Sequence, residues 1–323
     1  MLYSFLDDKT VVKFIVYTGG KTLNNKIDRI TELKKERNAV ILAHYYTEPE
    51  VQEVADYIGD SYFLSEKAKG LKEDVIVMCG VSFMGECVKI LNPTKTVLVP
   101  DAKADCPMAH MATTQKIEEV RANNEDVAVV CYVNSTAKLK AHSDVCVTSA
   151  NALKIVKNLP NKNIFFIPDQ HLGRYVATQV PEKNIILNDG CCPIHAKITK
   201  EEIEKIKELY PKAKLLVHPE CQKEVVDLAD YVGSTSGIIK YVANSPEDEF
   251  IISTEDGILY ELRLNNPNKK FYMPKEFQCK DMKKINLDKI IKALESNEPQ
   301  VRLTDEEIKK AYKPLEKMLE LAK

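Results

Sequence analysis

Short apolar runs with strand character recur along the chain at one spacing. The segments 40–44, 127–131 and 214–218 are offset by 87 residues and by 87 again. Val77, Ile164 and Ile251 sit in further β-rich runs on that period, as do Val97-Leu-Val-Pro, Asn184-Ile-Ile-Leu and Phe271-Tyr-Met-Pro. The sharpest echo is Ala55-Asp-Tyr-Ile-Gly-Asp-Ser61 against Ala229-Asp-Tyr-Val-Gly-Ser-Thr235, where 229 − 55 = 174, twice 87. Ser143-Asp-Val-Cys-Val-Thr-Ser149 is a looser middle copy. Between strands the apolar period lengthens to that of a helix: over 50–57, Val51, Val54, Ala55 and the following Ile58 share one face. A short strand and a Gly/Ser/Thr turn follow, with a Ser or Thr placed to cap the next helix, and another strand, helix and strand complete the unit.

Strands alternating with helices predict parallel sheets covered by helices. The expected fold class is α/β: three similar three-layer αβα units with parallel sheets, arranged with pseudo-threefold symmetry. A period of 87 is too long for a solenoid, and three units close around an axis. The expected units are 1–106 together with a C-terminal helical segment 280–323, then 107–192, then 193–279. The charged helix expected over 287–323 packs back on the first unit.

Composition narrows the function classes. With 44% hydrophobic and 29% charged residues and a net charge of −2, the chain is an ordinary globular protein without the signature of a nucleic-acid or membrane partner. No apolar run approaches a spanning length, Lys13 interrupts the early run 11–17, and Asp7, Asp8 and Lys9 do not form a leader. The expected location is cytoplasmic. Nine cysteines is many for a reducing compartment, and an odd number cannot all pair. There is no C-x-x-C, so any metal ligands come from distant parts of the chain.

Three cysteines meet that requirement. Cys106, Cys192 and Cys279 close the three copies, with 192 − 106 = 86 and 279 − 192 = 87. Threefold packing would bring them to one axis, whereas the other six read as small buried hydrophobes. Three soft thiolates suit zinc or an iron–sulfur centre. A [4Fe–4S] cluster wants four, so three would leave one iron open as a Lewis acid for dehydration.

The first strand of each unit ends in polar groups: His44-Tyr45-Tyr46, Tyr132-Val-Asn134 and His218-Pro-Glu220. Ligands bind beyond the carboxyl ends of parallel strands, so these segments should line one pocket. A lone His after a strand is more often a structural hydrogen-bonder, but His44 and His218 lie 218 − 44 = 174 apart, at equivalent positions. Glu220 reads as a general base whose pKa burial would raise towards neutrality, facing the same way as His218 if the segment is extended. Ser61, Thr148-Ser149 and Ser234-Thr235 read singly as N-caps. Together they place three helix N-termini at one axis, an anion site for a small phosphorylated or carboxylate substrate. No Walker-type loop is present.

These stretches resemble the quinolinate synthase family. The likeness is carried by Ala43-His-Tyr-Tyr-Thr-Glu-Pro-Glu50, Gly80-Val-Ser-Phe-Met-Gly-Glu86, Pro100-Asp-Ala-Lys-Ala-Asp-Cys-Pro-Met-Ala109 and Cys131-Tyr-Val-Asn134. It continues through Thr148-Ser-Ala-Asn-Ala152, Cys192-Pro-Ile-His195, His218-Pro-Glu-Cys221, Gly233-Ser-Thr-Ser-Gly237 and Cys279-Lys-Asp-Met282. The resemblance implies a [4Fe–4S] enzyme condensing iminoaspartate with dihydroxyacetone phosphate to quinolinate, for NAD biosynthesis, with transient supply from an aspartate-oxidising enzyme. It implies Cys106, Cys192 and Cys279 as cluster ligands, and His44, Tyr46, Met84, Tyr132 and Asn134 as the pocket lining. It gives Ser61, Ser149, Ser234 and Thr235 the phosphate or carboxylate oxygens, and His218 and Glu220, with His44 and Tyr46, the catalytic steps. Two features depart from the family pattern: Asn188 stands where an aromatic residue is usual, and Cys191 adjoins Cys192. Residues 1–25 extend beyond the family's usual start and have no assigned role. The competing readings are an aconitase-like hydro-lyase acting on another hydroxy acid and a cluster-bearing sensor.

Overall fold

A computed structural model describes residues 21–323, with side chains from residue 23. The readings of a missing leader and of the first expected unit's start fall on 1–20, outside the described residues. The first sheet holds β1 (Ala39–His44), β2 (Tyr57–Gly59), β3 (Val75–Cys79) and β4 (Thr96–Leu98). The second holds β5 (Val127–Tyr132), β6 (Val145–Val147), β7 (Asn163–Ile167) and β8 (Asn184–Leu187). The third holds β9 (Lys214–Val217), β10 (Tyr231–Val232), β11 (Glu249–Ser253) and β12 (Lys270–Tyr272). Their spatial orders are β2-β1-β3-β4, β6-β5-β7-β8 and β10-β9-β11-β12, and every pairing is parallel. One topology written three times bears out the α/β fold class. Helices pack the sheet faces, which is why central strands such as AVILAH are buried at every position instead of alternating.

The Ala-Asp-Tyr echo now has a cause. In each unit an aspartate just before the second strand accepts the backbone N–H of a residue fifteen positions earlier on the first strand. The three bonds are Ile41 N to Asp56 at 2.8 Å, Val129 N to Asp144 at 2.7 Å and Leu215 N to Asp230 at 2.8 Å. Each aspartate also meets a cation: Lys34, Arg121 and Lys214 respectively. The repeat therefore marks a stitch that closes the sheet edge.

Three expectations need correction. The helix read over 50–57 spans only Pro49–Glu53, because Asp56 stitches to β1 and Tyr57 pairs with Leu42 as strand. The C-terminal helix is two helices, Leu287–Ser296 and Asp305–Leu321, broken at Asn297, whose backbone is left-handed (φ 56°). The first packs on helix Lys21–Glu36, but the second lies across helix Ala137–Ala141 and β6 as well as helix Ser82–Leu91. It thus straddles the first two units. Of the three expected caps only Ser234 acts as one, accepting Gly237 N–H. Asp60 caps Ser61–Lys69, while Asn151 stands at the cap of Ala152–Asn158.

One continuous apolar core joins the first two units and both C-terminal helices. The third unit has two separate cores of its own, which include Ile251 and Ile252 of β11 respectively.

Candidate active site

In each sheet the chain steps from the first strand outward to the second, then returns to the first strand's other side for the third. That reversal opens a crevice at the carboxyl ends of the strands. The three crevices share one cavity, lined by residues of all three units. Of the residues expected there, His44, Tyr46, Ser61, Tyr132, Asn134, Ser149, His218, Glu220, Thr235 and the three cysteines line it. Met84 does not: it is buried behind Phe83, in a small neighbouring void with Leu64 and Cys87. Ser234 is not among the lining residues either, its hydroxyl being taken by the helix cap. Asp60 Oδ2, Asn134 Oδ1 and Glu220 Oε1 are buried without a hydrogen-bond partner. Three orphaned acceptors on one cavity fit a ligand that brings donors.

The two strand-end histidines share one local geometry. The Tyr46 N–H donates to His44 Nδ1 at 3.1 Å, and the Glu220 N–H donates to His218 Nδ1 at 3.4 Å. Nδ1 accepts in both, so each neutral ring carries its proton on Nε2. Burial drives both pKa values down to about 3, with His195 adding to the effect on His218. Both are uncharged donors at neutral pH. The stretch after β9 is a tight turn (Cys221 N to His218 O, 3.0 Å) and not extended strand. The turn, not period-two alternation, brings His218 and Glu220 to the same cavity.

Glu220 is 2% exposed. Burial alone would raise its pKa, as expected from sequence, but His195, His218 and the Tyr132 hydroxyl outweigh it and hold the carboxylate below the usual range. His195 Nδ1 lies 2.8 Å from Glu220 Oε2 and 3.2 Å from Cys192 Sγ. Its Nε2 lies 2.9 Å from Thr254 Oγ1, which is 2.9 Å from the Tyr46 hydroxyl, itself 2.7 Å from Thr235 Oγ1. A buried hydrogen-bonded chain therefore runs from Glu220 to Thr235, crossing from the third unit to the first and back.

The three thiols repeat one loop. The backbone N–H groups two and three residues on act to lower each thiol's pKa: Met108 and Ala109 at Cys106, Ile194 and His195 at Cys192, Asp281 and Met282 at Cys279. Each cysteine's own N–H is held by a carboxylate: Asp105 at 2.9 Å, Asp169 at 3.0 Å and Glu255 at 3.0 Å. Burial pushes Cys106 up to about 12, helped by Cys279, and Cys279 up to about 11. Burial, then Glu220 and Cys106, push Cys192 well above its ordinary value. Three thiols on one cavity that resist ionising alone, each with two backbone N–H groups acting to favour its thiolate, fit a cationic soft-metal centre. Cys191 does not line the cavity.

The family of quinolinate synthetase A proteins matches this chain over residues 28–320. The chain belongs to that family. It is 54% identical over 295 residues to the quinolinate synthase of Clostridioides difficile (strain 630), covering 91% of this chain and 97% of that one. It is also 54% identical over 295 residues to that of Fusobacterium nucleatum, covering 91% and 99%, and 48% identical over 299 residues to that of Aquifex aeolicus, covering 91% and 93%. The chain is thus an enzyme of the quinolinate synthase type. Asn188, the departure from the family pattern, is buried and donates to Pro168 O at 2.8 Å and Met111 O at 3.0 Å. Its amide thus holds two carbonyls at once, where a single ring N–H would hold one. Sequence reasoning missed His195, Thr254, Glu255 and Asp60 as site residues. For His195 the signal was present in Cys192-Pro-Ile-His195; Thr254 and Glu255 follow the third strand of their unit, β11, and not the first strand that carries the histidines.

Proposed function

We propose that this cavity condenses iminoaspartate with dihydroxyacetone phosphate to quinolinate, releasing phosphate and two waters, as a step of NAD biosynthesis. The observation that carries the reading is the meeting of three equivalent thiol loops with neutral imidazoles and a buried carboxylate in one cavity of a quinolinate synthetase A family chain. Cys106, Cys192 and Cys279 would hold a [4Fe–4S] cluster, which supplies an open iron, a Lewis acid suited to dehydration. His44 and His218 donate Nε2–H to substrate carbonyl or carboxylate oxygens. Glu220 accepts a proton, its charge held by His195 and the Tyr132 hydroxyl. Ser61, Ser149 and Thr235 take phosphate or carboxylate oxygens, with Asn134 and Tyr46 orienting the substrate. Met84 and Ser234 act through Phe83 and Thr235. Among the described residues no helix is long and apolar enough to cross a membrane. We place the reaction in the cytoplasm, where nine thiols stay reduced, supplied by an aspartate-oxidising enzyme.

Anaerobic protein should contain iron and sulfide and form quinolinate when dihydroxyacetone phosphate is added to an iminoaspartate source. Dehydration of other hydroxy acids without quinolinate would instead indicate a hydro-lyase. One specific observation favours a second reading of the metal: ligand atoms of Cys192, His195 and Glu220 lie within 4.8 Å of one another and could hold a single ion. It leaves Cys106 and Cys279 without a purpose. Stoichiometric zinc without sulfide would establish it.

A further inference from the structure

Lys140 is wholly buried and heads the fully buried side chains by size among the described residues. An ammonium in such a place is costly unless each of its donors is met. It donates to the Ser135 carbonyl and stands over the Phe83 ring, 5.6 Å from the centroid, with the buried Cys87 thiol nearby. Cys87 and then the Glu86 carboxylate favour its charged form, and Glu86 Oε2 accepts the Ala137 N–H at 2.7 Å at the start of Lys140's own helix.

The partners divide by unit. Phe83, Glu86 and Cys87 lie on helix Ser82–Leu91 of the first unit, and Ser135 follows directly on Asn134 of the second. Phe83 and, from the other unit, Tyr132 and Asn134 line the same cavity. The same position recurs at the seam between the first and third units. There 140 − 53 = 87 leads to Glu53 and 86 + 174 = 260 leads to Tyr260, whose hydroxyl donates to Glu53 Oε1 at 3.1 Å. At the third seam the counterparts are Asp227, engaged by Lys223 of its own helix, and Gly173, which has no side chain. At two of the three seams the position thus sets polar groups of different units near one another, in direct contact at Glu53 and Tyr260, and only at Lys140 is it a buried charge.

We propose that Lys140 is a positioning residue: a cationic pin that locks the Phe83 wall of the first unit to the Tyr132–Asn134 wall of the second and so sets the substrate cavity's width. The proposal rests on the reading of that cavity given above. None of Lys140's direct partners is Cys106, Cys192 or Cys279, so the pin acts on substrate geometry and not on the metal site. A misplacement of ~1 Å at a reacting centre costs on the order of 10²-fold in rate.

The test is Lys140→Met, which keeps the length of the side chain and removes the charge, beside Glu86→Gln/Lys140→Met, which leaves no unpaired carboxylate. Iron content should stay at the unaltered level in both. kcat/KM for dihydroxyacetone phosphate should fall about 10²-fold, and the double variant should recover melting temperature without recovering kcat/KM. Amide hydrogen exchange should quicken together in 83–87 and 132–136. If Lys140→Met does not fold, the double variant carries the same measurements. Unchanged kcat/KM and exchange with only a lowered melting temperature would reduce Lys140 to core packing and overturn the proposal. If the unaltered chain forms no quinolinate, the activity reading fails, and exchange still decides the pin.

Discussion

At the scale of single residues the site depends on which groups carry charge. Glu220 is held ionised by the His195 ring and the Tyr132 hydroxyl, so its role as proton acceptor is testable apart from its role in folding. Glu220→Gln preserves size and hydrogen bonding but cannot take a proton. Turnover should fall by ~10²-fold or more, with iron content and melting temperature near those of the unaltered chain. Near-normal quinolinate formation with full iron would remove Glu220 from the mechanism. His44 and His218 make a pH prediction whose sign follows from linkage. Their folded pKa values, about 3, lie below the ordinary 6.5. Between those values the unfolded chain binds more protons than the folded one. Their contribution to stability is present above about pH 6.5 and is lost as the pH falls towards 3. The slope approaches ~1.4 kcal/mol per pH unit for each ring. Urea titrations at pH 7 and pH 5 should show the loss, and His44→Gln should remove one ring's share. A variant with an unchanged slope would mean that the ring is charged when folded.

At the scale of elements, the repeat was legible because its strongest marks are covalently local. The Asp56, Asp144 and Asp230 stitches each span fifteen residues, within one unit, so period and chemistry coincide in the sequence. What stayed hidden depends on contacts between units. The downward pull on Glu220 comes partly from Tyr132 of another unit, and Thr254 gains its role only by meeting both His195 and Tyr46. Met84 is one residue from a lining position, and nothing in its own segment shows that Phe83 takes the cavity face. The stitch itself is measurable at Asp144, which serves the Val129 N–H and Arg121 together. Asp144→Ala should destabilise by ~1–3 kcal/mol, the cost of stranding a part-buried donor. Asp144→Asn, which still accepts the bond, should recover more than half. Equal losses would assign the effect to the exposed ion pair with Arg121, which is worth little in water.

At the scale of the whole molecule, the proposed metal site would form only if three units fold against one another, since each supplies one thiol and one N–H-bearing loop. Two units share a core and the third keeps its own, so the cavity is the place where separately packed bodies must agree. Cys106→Ala, Cys192→Ala and Cys279→Ala should each abolish cluster retention while leaving the fold, because the loops around each sulfur are fixed by backbone bonds to Asp105, Asp169 and Glu255. Cys191→Ala is the internal control. It sits one residue away, is partly exposed, and its N–H is turned towards Met111 Sδ at 3.4 Å instead of a carboxylate. Iron and sulfide per chain after anaerobic reconstitution should therefore be near zero for the first three and near the unaltered value for Cys191→Ala. If Cys191→Ala loses the cluster and Cys192→Ala keeps it, the ligand set is wrong. If Cys192→Ala loses bound metal while Cys106→Ala and Cys279→Ala keep it, the centre is the single ion at Cys192, His195 and Glu220 and not a threefold cluster.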